Sequence, residues 1–442
     1  MNGLPPGPRM PRALQAVGWT QRPMPFLERC HSRYGDTFTL RIRHYGDWVL
    51  LADPDDVKAV FTAGRAVGVA TANPLLGPLL GPRSVMLLEE PEHMTRRKLM
   101  LPSFHGQAVQ ADSEMMAAVA RREISRWPVG EPFALWPRMQ DVTLDVVMRA
   151  VFGPDAEGPR LQPLRDRLRA LTTWMNEPRN LAMLAALGPG WVTRSRGYRE
   201  AMGAVEEAVM AEVRRRKAEP DGGEPGVVSM LVGATYEDGS PLSNDDLRDE
   251  LVTLLSDGPT SSTLAWTFER LLRNPDKLEL LRADVLGGDG TYLDAVVKET
   301  LRLRPPVPVV VRTLLEPMTL GGCDLPAGTI VAPCIHLIHR DARWYAQPHR
   351  FLPERFLGRQ PGTYTWIPFG GGVRRCLAAS YAEMEMKRVL RIVLETTELR
   401  PVASSGERAR KSAISFSPDQ KGLVIAEPRE PEPASERALA PV

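Results

Sequence analysis

The spacing of apolar residues along the chain is mainly that of α-helices. Apolar positions recur every three or four residues, as on one face of a helix, over residues 92–104, 112–126, 140–152, 161–175, 198–217, 277–285, 292–304 and 378–395. A further short helix is predicted up to residue 61, because Asp53 is a suitable N-cap and Pro54 suits the first helical position. The chain is therefore predicted to be mainly helical.

The longest helical pattern covers residues 243–273. It starts at Ser243, a good N-cap with Asp246 three residues later, and it ends before Asn274 and Pro275. A helix of about thirty residues is longer than the usual helix of a globular protein. We therefore predict one unusually long helix here.

Two places favour short strands. Residues 38–42 and 48–52 are rich in apolar and β-branched side chains and flank a turn at residues 45–47, and a second hairpin is predicted around residues 321–322 and 326–328. The fold class is therefore predicted to be mainly α with small antiparallel β-sheets. No internal repeat or linker divides the chain, so residues 1–426 are predicted to form a single domain, and the proline- and glutamate-rich residues 427–442 a disordered tail.

Composition excludes several classes of protein. The 442 residues are 43% hydrophobic and 25% charged, as in globular proteins, and the formal net charge of +2 indicates neither a nucleic-acid partner nor a membrane surface. The four cysteines have no CxxC spacing, which argues against a disulfide framework and favours a reducing compartment. With no apolar run typical of a signal peptide or a spanning helix, the protein is expected to be cytoplasmic and without a membrane anchor.

The most informative stretch for chemistry is PFGGGVRRCLA, residues 368–378. Three consecutive glycines allow the backbone to lie close against a flat group, and Cys376 follows just before a predicted helix. Backbone amides and the helix dipole are expected to lower the pKa of its thiol, and a thiolate is a good ligand for iron. Arg374 can pair with an anionic group of the same cofactor. The alternative is a buried structural cysteine after a glycine-rich turn.

This stretch resembles the haem-binding signature of the cytochrome P450 family. The pattern Phe-x-x-Gly-x-Arg-x-Cys-x-Gly/Ala is matched at Phe369, Gly372, Arg374, Cys376 and Ala378. The resemblance implies the cytochrome P450 fold, haem b as the cofactor, and Cys376 as the ligand of its iron. It also implies a haem-thiolate monooxygenase, since thiolate ligation favours O–O cleavage.

Glu299 and Arg302 lie three residues apart and so project from one face of a predicted helix. Taken alone, such a pair is typical of a solvated surface, where it contributes well below ~1 kcal/mol. The resemblance implies the opposite, because the two residues match the family's Glu-x-x-Arg motif. That motif is buried with a third residue, carried here by Arg355, and it braces the segment that holds Cys376.

His93 and Arg97 are four residues apart and share a helix face. A lone histidine on such a helix is more often structural than functional. In bacterial members of the family, however, a His-x-x-x-Arg pair contacts the haem propionates, and Arg312 matches a third contact. With Arg374, four donor groups would face two carboxylates.

Residues 257–260 depart from the family. Its acid and alcohol in the oxygen-activating helix are replaced by Gly258 and Pro259, and the proline predicts a kink. In one interpretation Asp257, Thr260 or Ser261 delivers protons through water. In a second the substrate supplies the missing group, and in a third peroxide replaces dioxygen. The peroxide-using branch also has a proline here, but Gly258 stands where that branch has an arginine, so we rank the third interpretation below the second.

The resemblance implies a monooxygenase that uses dioxygen and electrons from a separate partner, either ferredoxin with its reductase or a flavodoxin. Arg374 and Arg375 are candidate docking residues for that acidic partner. Apolar segments at expected pocket positions favour a lipophilic small-molecule substrate, such as one of secondary metabolism. These segments are residues 70–86, 174–187, 254–255, 309–311 and 414–416. The alternatives are a peroxide-using haem-thiolate enzyme and a non-catalytic haem-binding sensor or scavenger.

Overall fold

The computed structural model describes residues 3–69, 74, 76–219, 226–256, 259–412 and 415–429. Within these ranges most of the regular structure is helical. The helices of the first half are α1 (Arg12–Gln21), α2 (Pro23–Tyr34), α3 (Pro54–Thr62), α4 (Leu76–Leu80), α5 (Glu92–Met100), α6 (Gln107–Ala111), α7 (Ser113–Ile124), α8 (Leu135–Phe152), α9 (Gln162–Asn176), α10 (Pro178–Leu187), α11 (Gly190–Arg194) and α12 (Arg196–Ala218).

The second half of the chain contains the remaining helices and most of the strands. Its helices are α13 (Val227–Gly233), α14 (Asn244–Leu255), α15 (Thr260–Leu272), α16 (Pro275–Gly287), α17 (Thr291–Leu303), α18 (Ile335–Ile338) and α19 (Ala379–Thr396). The strands of the whole chain are β1 (Thr37–Ile42), β2 (Gly46–Leu51), β3 (Val67–Gly68), β4 (Pro132–Ala134), β5 (Arg312–Leu314), β6 (Met318–Leu320), β7 (Cys323–Leu325), β8 (Ile330–Pro333), β9 (Thr397–Pro401), β10 (Ala409–Ser412), β11 (Ser415–Pro418) and β12 (Leu423–Pro428).

The fold class is confirmed: helices dominate and the sheets are small. The largest sheet has the strand order β1-β2-β8-β5-β3, and its pairs are antiparallel except that β2 and β8 run parallel, with Val49 opposite Val331. The predicted hairpins over residues 38–52 and around residues 321–322 are both present. The sheet matters for the site because Arg312 is the first residue of β5.

The predicted helix over residues 243–273 is wrong as a single helix. Ser243 does cap α14 with Asp246 in a reciprocal capping box, but α14 ends at Leu255 and α15 begins at Thr260. Ser256 has an extended backbone, with ψ at 123°, and Pro259 has no amide to donate to the carbonyl of Leu255. The helix is therefore interrupted where the sequence predicted a kink.

Two further boundaries differ from the sequence prediction. Residues 12–34, for which no helix was predicted, contain helices α1 and α2, and Pro23 takes the first position of α2, which a proline tolerates. The predicted start of the tail at residue 427 is too early, because Glu427 and Pro428 belong to strand β12 and pair with Glu398 and Thr397 of β9. Residues 430–442 lie outside the described ranges.

The main core lies between α7, α8, α15 and α19. Fully buried apolar side chains from these helices pack together there, among them Val119, Val142, Val146, Leu264, Phe268, Val389 and Leu390. Burying one such side chain contributes about 1.5 to 3 kcal/mol. This core fixes α19, the helix that directly follows Cys376.

Candidate functional site

The segment before α19 forms a tight loop. The Cys376 amide donates a hydrogen bond to the Phe369 carbonyl at 2.9 Å, and Gly372 has a φ of 65°, which favours glycine. A Cβ atom at Gly372 would lie 1.9 Å from the Phe61 carbonyl oxygen at the end of α3. Gly372 is therefore required for packing against the protein itself, whereas a Cβ atom at Gly370 would meet only open space.

Cys376 lies two residues before the N-cap of α19, Ala378. Its side chain is exposed although protein atoms surround it closely, so it borders an open space inside the fold. Burial raises the pKa of the Cys376 thiol, and this outweighs the lowering by the Ala378 amide, Arg375 and Arg97. The amide at the helix terminus lowers this pKa as expected, but burial outweighs it, so the net shift in the protein alone is upward. Coordination to a metal removes the thiol proton.

Four nitrogen-bearing side chains lie near this loop. His93 and Arg97 are on α5, and Arg312 begins β5. Burial lowers the pKa of Arg312 to about 10, and the charge of Arg374 adds to the shift. Burial and then Arg374 lower the pKa of His93, and Arg97 is close enough to Cys376 for their charges to interact. The structure thus brings together the predicted residues of the Cys376 site.

Two of these four groups are held by acids. The His93 Nδ1 lies 2.7 Å from Glu90 Oε1, and Arg374 Nη2 donates to Glu89 Oε2 at 3.1 Å. Glu89 also accepts a hydrogen bond from the Val69 amide at 2.7 Å. The sequence prediction missed this role of Glu89, because nothing local to the sequence indicates a partner so distant along the chain.

Arg97 and Arg312 differ from the other two. Within the described ranges neither forms an ion pair, and the guanidinium of Arg312 donates only to the Val311 carbonyl at 2.8 Å. Two partly buried cations that form no ion pair, one of them close enough to the accessible thiol of Cys376 for their charges to interact, suit a ligand that carries two carboxylates and a metal that accepts a thiolate. Haem has these properties, so the residues present fit it.

Glu299 and Arg302 form a fully buried ion pair at the centre of a larger cluster. Arg302 Nε donates to Glu299 Oε2 at 2.7 Å, and Arg355 Nε lies 3.2 Å from the same oxygen. The Leu352 amide donates to the other oxygen of Glu299 at 2.8 Å. The predicted interpretation as a surface pair does not hold, and the buried triad with Arg355 is what the resemblance implied.

His339 connects this triad to the loop of Cys376. Its Nδ1 donates to the Arg302 carbonyl at 3.2 Å, and its Nε2 accepts a hydrogen bond from the Ile367 amide at 2.8 Å. The imidazole is fully buried, and burial lowers its pKa to about 3, with the Arg302 charge as the next cause. His339 is therefore neutral and structural.

Of the four residues between α14 and α15, the structure describes Ser256 and Pro259. Asp257 and Gly258, both predicted to matter for proton delivery, lie outside the described residues. The Pro259 carbonyl accepts hydrogen bonds from the amide and the hydroxyl of Thr263, both at 3.0 Å. Thr260 is half-buried and begins α15.

Several predicted pocket-wall residues prove to be core residues. Leu255 belongs to the main core, and Phe416 is 3% exposed, with its carbonyl accepting a hydrogen bond from Trp266. Val309 and Val311 are only half-buried, as wall residues should be. Of the predicted wall at 70–86, residues 70–73 and 75 lie outside the described ranges, as does Ile414.

A buried polar cluster beside the predicted propionate residues was not found from the sequence. Arg96, which neighbours Arg97 on α5, bonds Glu250 Oε1 at 2.9 Å and Asp246 Oδ1 at 2.7 Å on α14. Burial raises the pKa of Glu250 to about 8, while hydrogen bonds from Arg96 hold that of Asp246 below its usual range. This cluster fixes α5, and with it Arg97, against α14.

The described residues contain neither a cluster of metal ligands nor a membrane-spanning helix. No group of three or more His, Cys, Asp or Glu side chains is arranged there to hold a metal ion. None of the helices described has the length and apolar character needed to cross a bilayer.

The fold and the site together define a haem-thiolate oxidoreductase. The family model of cytochrome P450 matches residues 2–423. The chain is 39% identical over 438 residues to putative cytochrome P450 135B1 of Mycobacterium tuberculosis, covering 96% of this chain and 91% of that protein. It is 35% identical over 433 residues to putative cytochrome P450 138 of Mycobacterium bovis, covering 96% of each.

Solved structures show the same fold. The haem domain of cytochrome P450DA superposes with a TM-score of 0.80 at 22% identity, over 97% of this chain and 98% of that one. The retinoic acid-bound cyanobacterial CYP120A1 superposes with a TM-score of 0.82 at 21% identity, over 97% and 100%. This chain belongs to the cytochrome P450 family: it is a monooxygenase, and its cofactor is haem.

Proposed function

We propose that this monooxygenase oxidises a lipophilic small molecule of secondary metabolism in the cytoplasm, with dioxygen and electrons from a separate donor. The observation that carries the proposal is the pair of cations Arg97 and Arg312, which form no ion pair in the described structure: Arg97 interacts with the accessible thiol of Cys376, and Arg312 with Arg374 of the same loop. We also propose that residues 1–426 act as one haem domain.

Each residue of the site receives a role. Cys376 ligates the iron, and the bound haem supplies the oxidising chemistry, favoured by the thiolate. Arg97 and Arg312 bind the two propionates by charge-assisted hydrogen bonds. Arg374, held by Glu89, adds a charged donor at the same carboxylates. His93, whose Nδ1 bonds to Glu90, donates its Nε2–H to them only when its ring is protonated.

The loop residues of the signature position the ligand. The Phe369 carbonyl accepts the amide of Cys376, Gly372 allows the loop to approach α3, and Ala378 caps the helix that follows. Glu299, Arg302 and Arg355 have a structural role beneath this loop.

For proton delivery we propose that the substrate supplies the missing group. The hydroxyl of Thr263 is bonded to the Pro259 carbonyl and so does not relay a proton freely. Thr260, half-buried at the first turn of α15, is the next candidate, together with Asp257 and water. Pro259 cannot replace a hydroxyl, because its side chain has no donor.

A lipophilic substrate is supported by the half-buried Val309 and Val311. They extend an apolar cluster up to Arg312, and so form an apolar wall that leads towards the site of Cys376. Apolar surface that stays accessible inside a fold favours an apolar ligand.

For the electron donor we propose ferredoxin with its reductase, or a flavodoxin. Bacterial members of the family generally use the first of these. Arg375 is exposed and free to contact an acidic protein, whereas the Arg374 side chain is 8% exposed and paired with Glu89. Docking is therefore assigned to Arg375 alone, which corrects the prediction for Arg374.

The test is turnover by the haem-loaded chain with ferredoxin, ferredoxin reductase and NADPH under air, using a panel of lipophilic compounds. Oxidised product that depends on dioxygen supports the proposal. Product formed efficiently with hydrogen peroxide alone would favour the peroxide-using alternative. Haem-loaded protein that forms no product by either route would contradict the proposal and favour a sensor or scavenger.

A further inference from the structure

One interior cation lies apart from the Cys376 site. Lys411, on β10, has a half-buried side chain whose Nζ lies 6.0 Å from the centre of the Trp19 ring and 5.5 Å from that of Tyr45. Phe416 is paired with Lys411 across the β10–β11 hairpin, and its ring lies 6.2 Å from Trp19. The ammonium group thus lies over two aromatic rings, and a third ring, that of Phe416, packs against one of them.

The other lysines do not share this situation. Lys277, Lys298 and Lys387 pair with carboxylates, Lys217 donates to an Asn244 oxygen, and the remainder, Lys58, Lys98 and Lys421, are exposed. Lys411 has neither an ion pair nor a hydrogen bond within the described ranges. Burial alone lowers its pKa to about 8, so the group is still mainly protonated at pH 7.

The surrounding rings do not fully compensate this charge. A cation–π contact contributes about 0.5 to 2 kcal/mol, whereas removing an ammonium group from water without an anion costs several kcal/mol. Because this cation keeps accessible surface, an anionic ligand can reach it and supply the missing counter-charge.

Tyr45 offers a second unused donor at the same place. Its side chain is half-buried, and within the described ranges its hydroxyl has no hydrogen-bond partner. Burial raises the pKa of the phenol to about 12, so it keeps its proton and can donate. Lys411 supplies one positive charge, and Lys411 and Tyr45 are two donor side chains. Together they match a ligand group that has one negative charge and two acceptor oxygens. A phosphate dianion would require further cations.

The hairpin that carries Lys411 extends to the predicted oxygen-activating helix. Ser415 lies one pair further along the hairpin than Phe416, and its Oγ is 3.3 Å from Ser262 Oγ in the first turn of α15. One residue of a strand spans about 3.3 Å, so the backbone of Lys411 lies close to that turn, while the side chains of Lys411 and Ser415 point to opposite faces of the hairpin.

An apolar wall connects the aromatic rings beside Lys411 with the Cys376 site. Trp19 and Tyr45 belong to the same apolar cluster as Val309 and Val311. The next residue is Arg312, whose charge interacts with that of Arg374. The wall therefore has an anion-binding group at one end and the candidate haem site at the other.

We infer that Lys411 and Tyr45 bind the carboxylate of a lipophilic acid, whose apolar part lies along Val309 and Val311 towards the Cys376 site. The inference rests on the proposed function, because it names the class of substrate that the proposed monooxygenase oxidises at the Cys376 site. It assigns Lys411 and Tyr45 as specificity-determining residues, and neither takes part in the oxidation itself.

The experiment measures binding to the haem-loaded full chain by calorimetry and by the change in haem absorption. The probes are dodecanoate and hexadecanoate, each with its primary alcohol as the neutral counterpart. We expect the acids to bind more tightly than the alcohols. Lys411→Met should weaken acid binding by about tenfold or more and alcohol binding by less than about twofold, since a charge-assisted bond is lost. Tyr45→Phe should also weaken the binding of the acids, but by less than Lys411→Met does.

Lys421→Met, in the exposed turn after β11, is the matched control and should bind all probes as the unaltered chain does. Any of three results would overturn the inference. The Lys411→Met variant could bind the acids as tightly as the unaltered chain does, the unaltered chain could bind the alcohols more tightly than the acids, or it could fail to bind the acids. A chain that binds the acids through Lys411 but forms no product would refute the proposed function alone, so the two failures are distinguishable.

Discussion

Glu299 and Arg302 form a bidentate ion pair in which neither side chain has any exposed surface, with Arg302 Nε 2.7 Å from Oε2 and Nη2 2.8 Å from Oε1. The remaining Arg302 donors reach the carbonyls of His339, Pro348 and Arg350. The guanidinium is thus saturated, and it joins α17 to the segment that leads to the Cys376 loop.

We predict that Glu299→Ala or Arg302→Ala yields haem-free or insoluble protein. Removing one partner leaves the other as an uncompensated buried charge, which costs about 3 to 5 kcal/mol. The measurement is haem content and thermal unfolding. Arg196→Ala, which breaks an exposed pair with Glu200, is the control and should leave both unchanged. Soluble, haem-loaded Glu299→Ala protein of unaltered stability would show that the pair does not support the fold.

The second prediction concerns Cys376. Cys376→Ser should lose the long-wavelength Soret band that reduced haem-thiolate proteins show under carbon monoxide, because a hydroxyl does not replace the soft thiolate. Cys323→Ser, on β7, should keep that band. Persistence of the band in the Cys376 variant would mean that another residue ligates the iron.

The third prediction concerns pH and His339. Its pKa is lowered from 6.5 to about 3 in the folded chain, so the unfolded chain binds a proton that the folded chain does not. Its contribution to stability is therefore complete above pH 6.5 and is lost as the pH falls towards 3. His336, with a pKa also lowered to about 3 by burial, acts in the same direction.

His339→Gln keeps an acceptor for the Ile367 amide and cannot be protonated in this range. Chemical unfolding between pH 7 and pH 4 should therefore show a shallower loss of stability in this variant. His349→Gln, at an exposed position, should retain the original slope. An unchanged slope for His339→Gln would show that acid sensitivity arises elsewhere.

The fourth prediction concerns Pro259. If the substrate relays the proton, analogues without a hydroxyl or carboxylate should consume reducing equivalents and release them mainly as peroxide, with coupling lowered about tenfold or more. Gly258→Asp with Pro259→Thr should restore coupling for those analogues. High coupling of the unaltered chain with stripped analogues would instead assign proton delivery to Thr260, Ser261, Asp257 or water.

The sequence was most informative where chemistry depends on residues close together in the chain. The loop from Phe369 to Cys376 and the pair Glu299–Arg302 could be identified from spacing and resemblance alone. Their partners Glu89 and His339 could not, because each bond joins segments that only the tertiary fold brings together. The cluster of Arg96 with Glu250 escaped for the same reason.

Helix boundaries followed a similar rule. The capping box at Ser243 is local and was predicted correctly, whereas the break after Leu255 depends on Ser256 adopting an extended backbone that the apolar pattern does not show. The pKa of Cys376 was predicted in the wrong direction, because the helix terminus is visible in the sequence and the extent of burial is not.

The contact between Gly372 and the Phe61 carbonyl also sets an order of events during protein synthesis. The cysteine loop is synthesised long after α3, which forms its seat. Such contacts between distant segments form late, because the intervening chain must first be ordered. A chain truncated before residue 369 would contain the seat on α3 but not the loop, and so would lack Cys376, the proposed ligand of the iron.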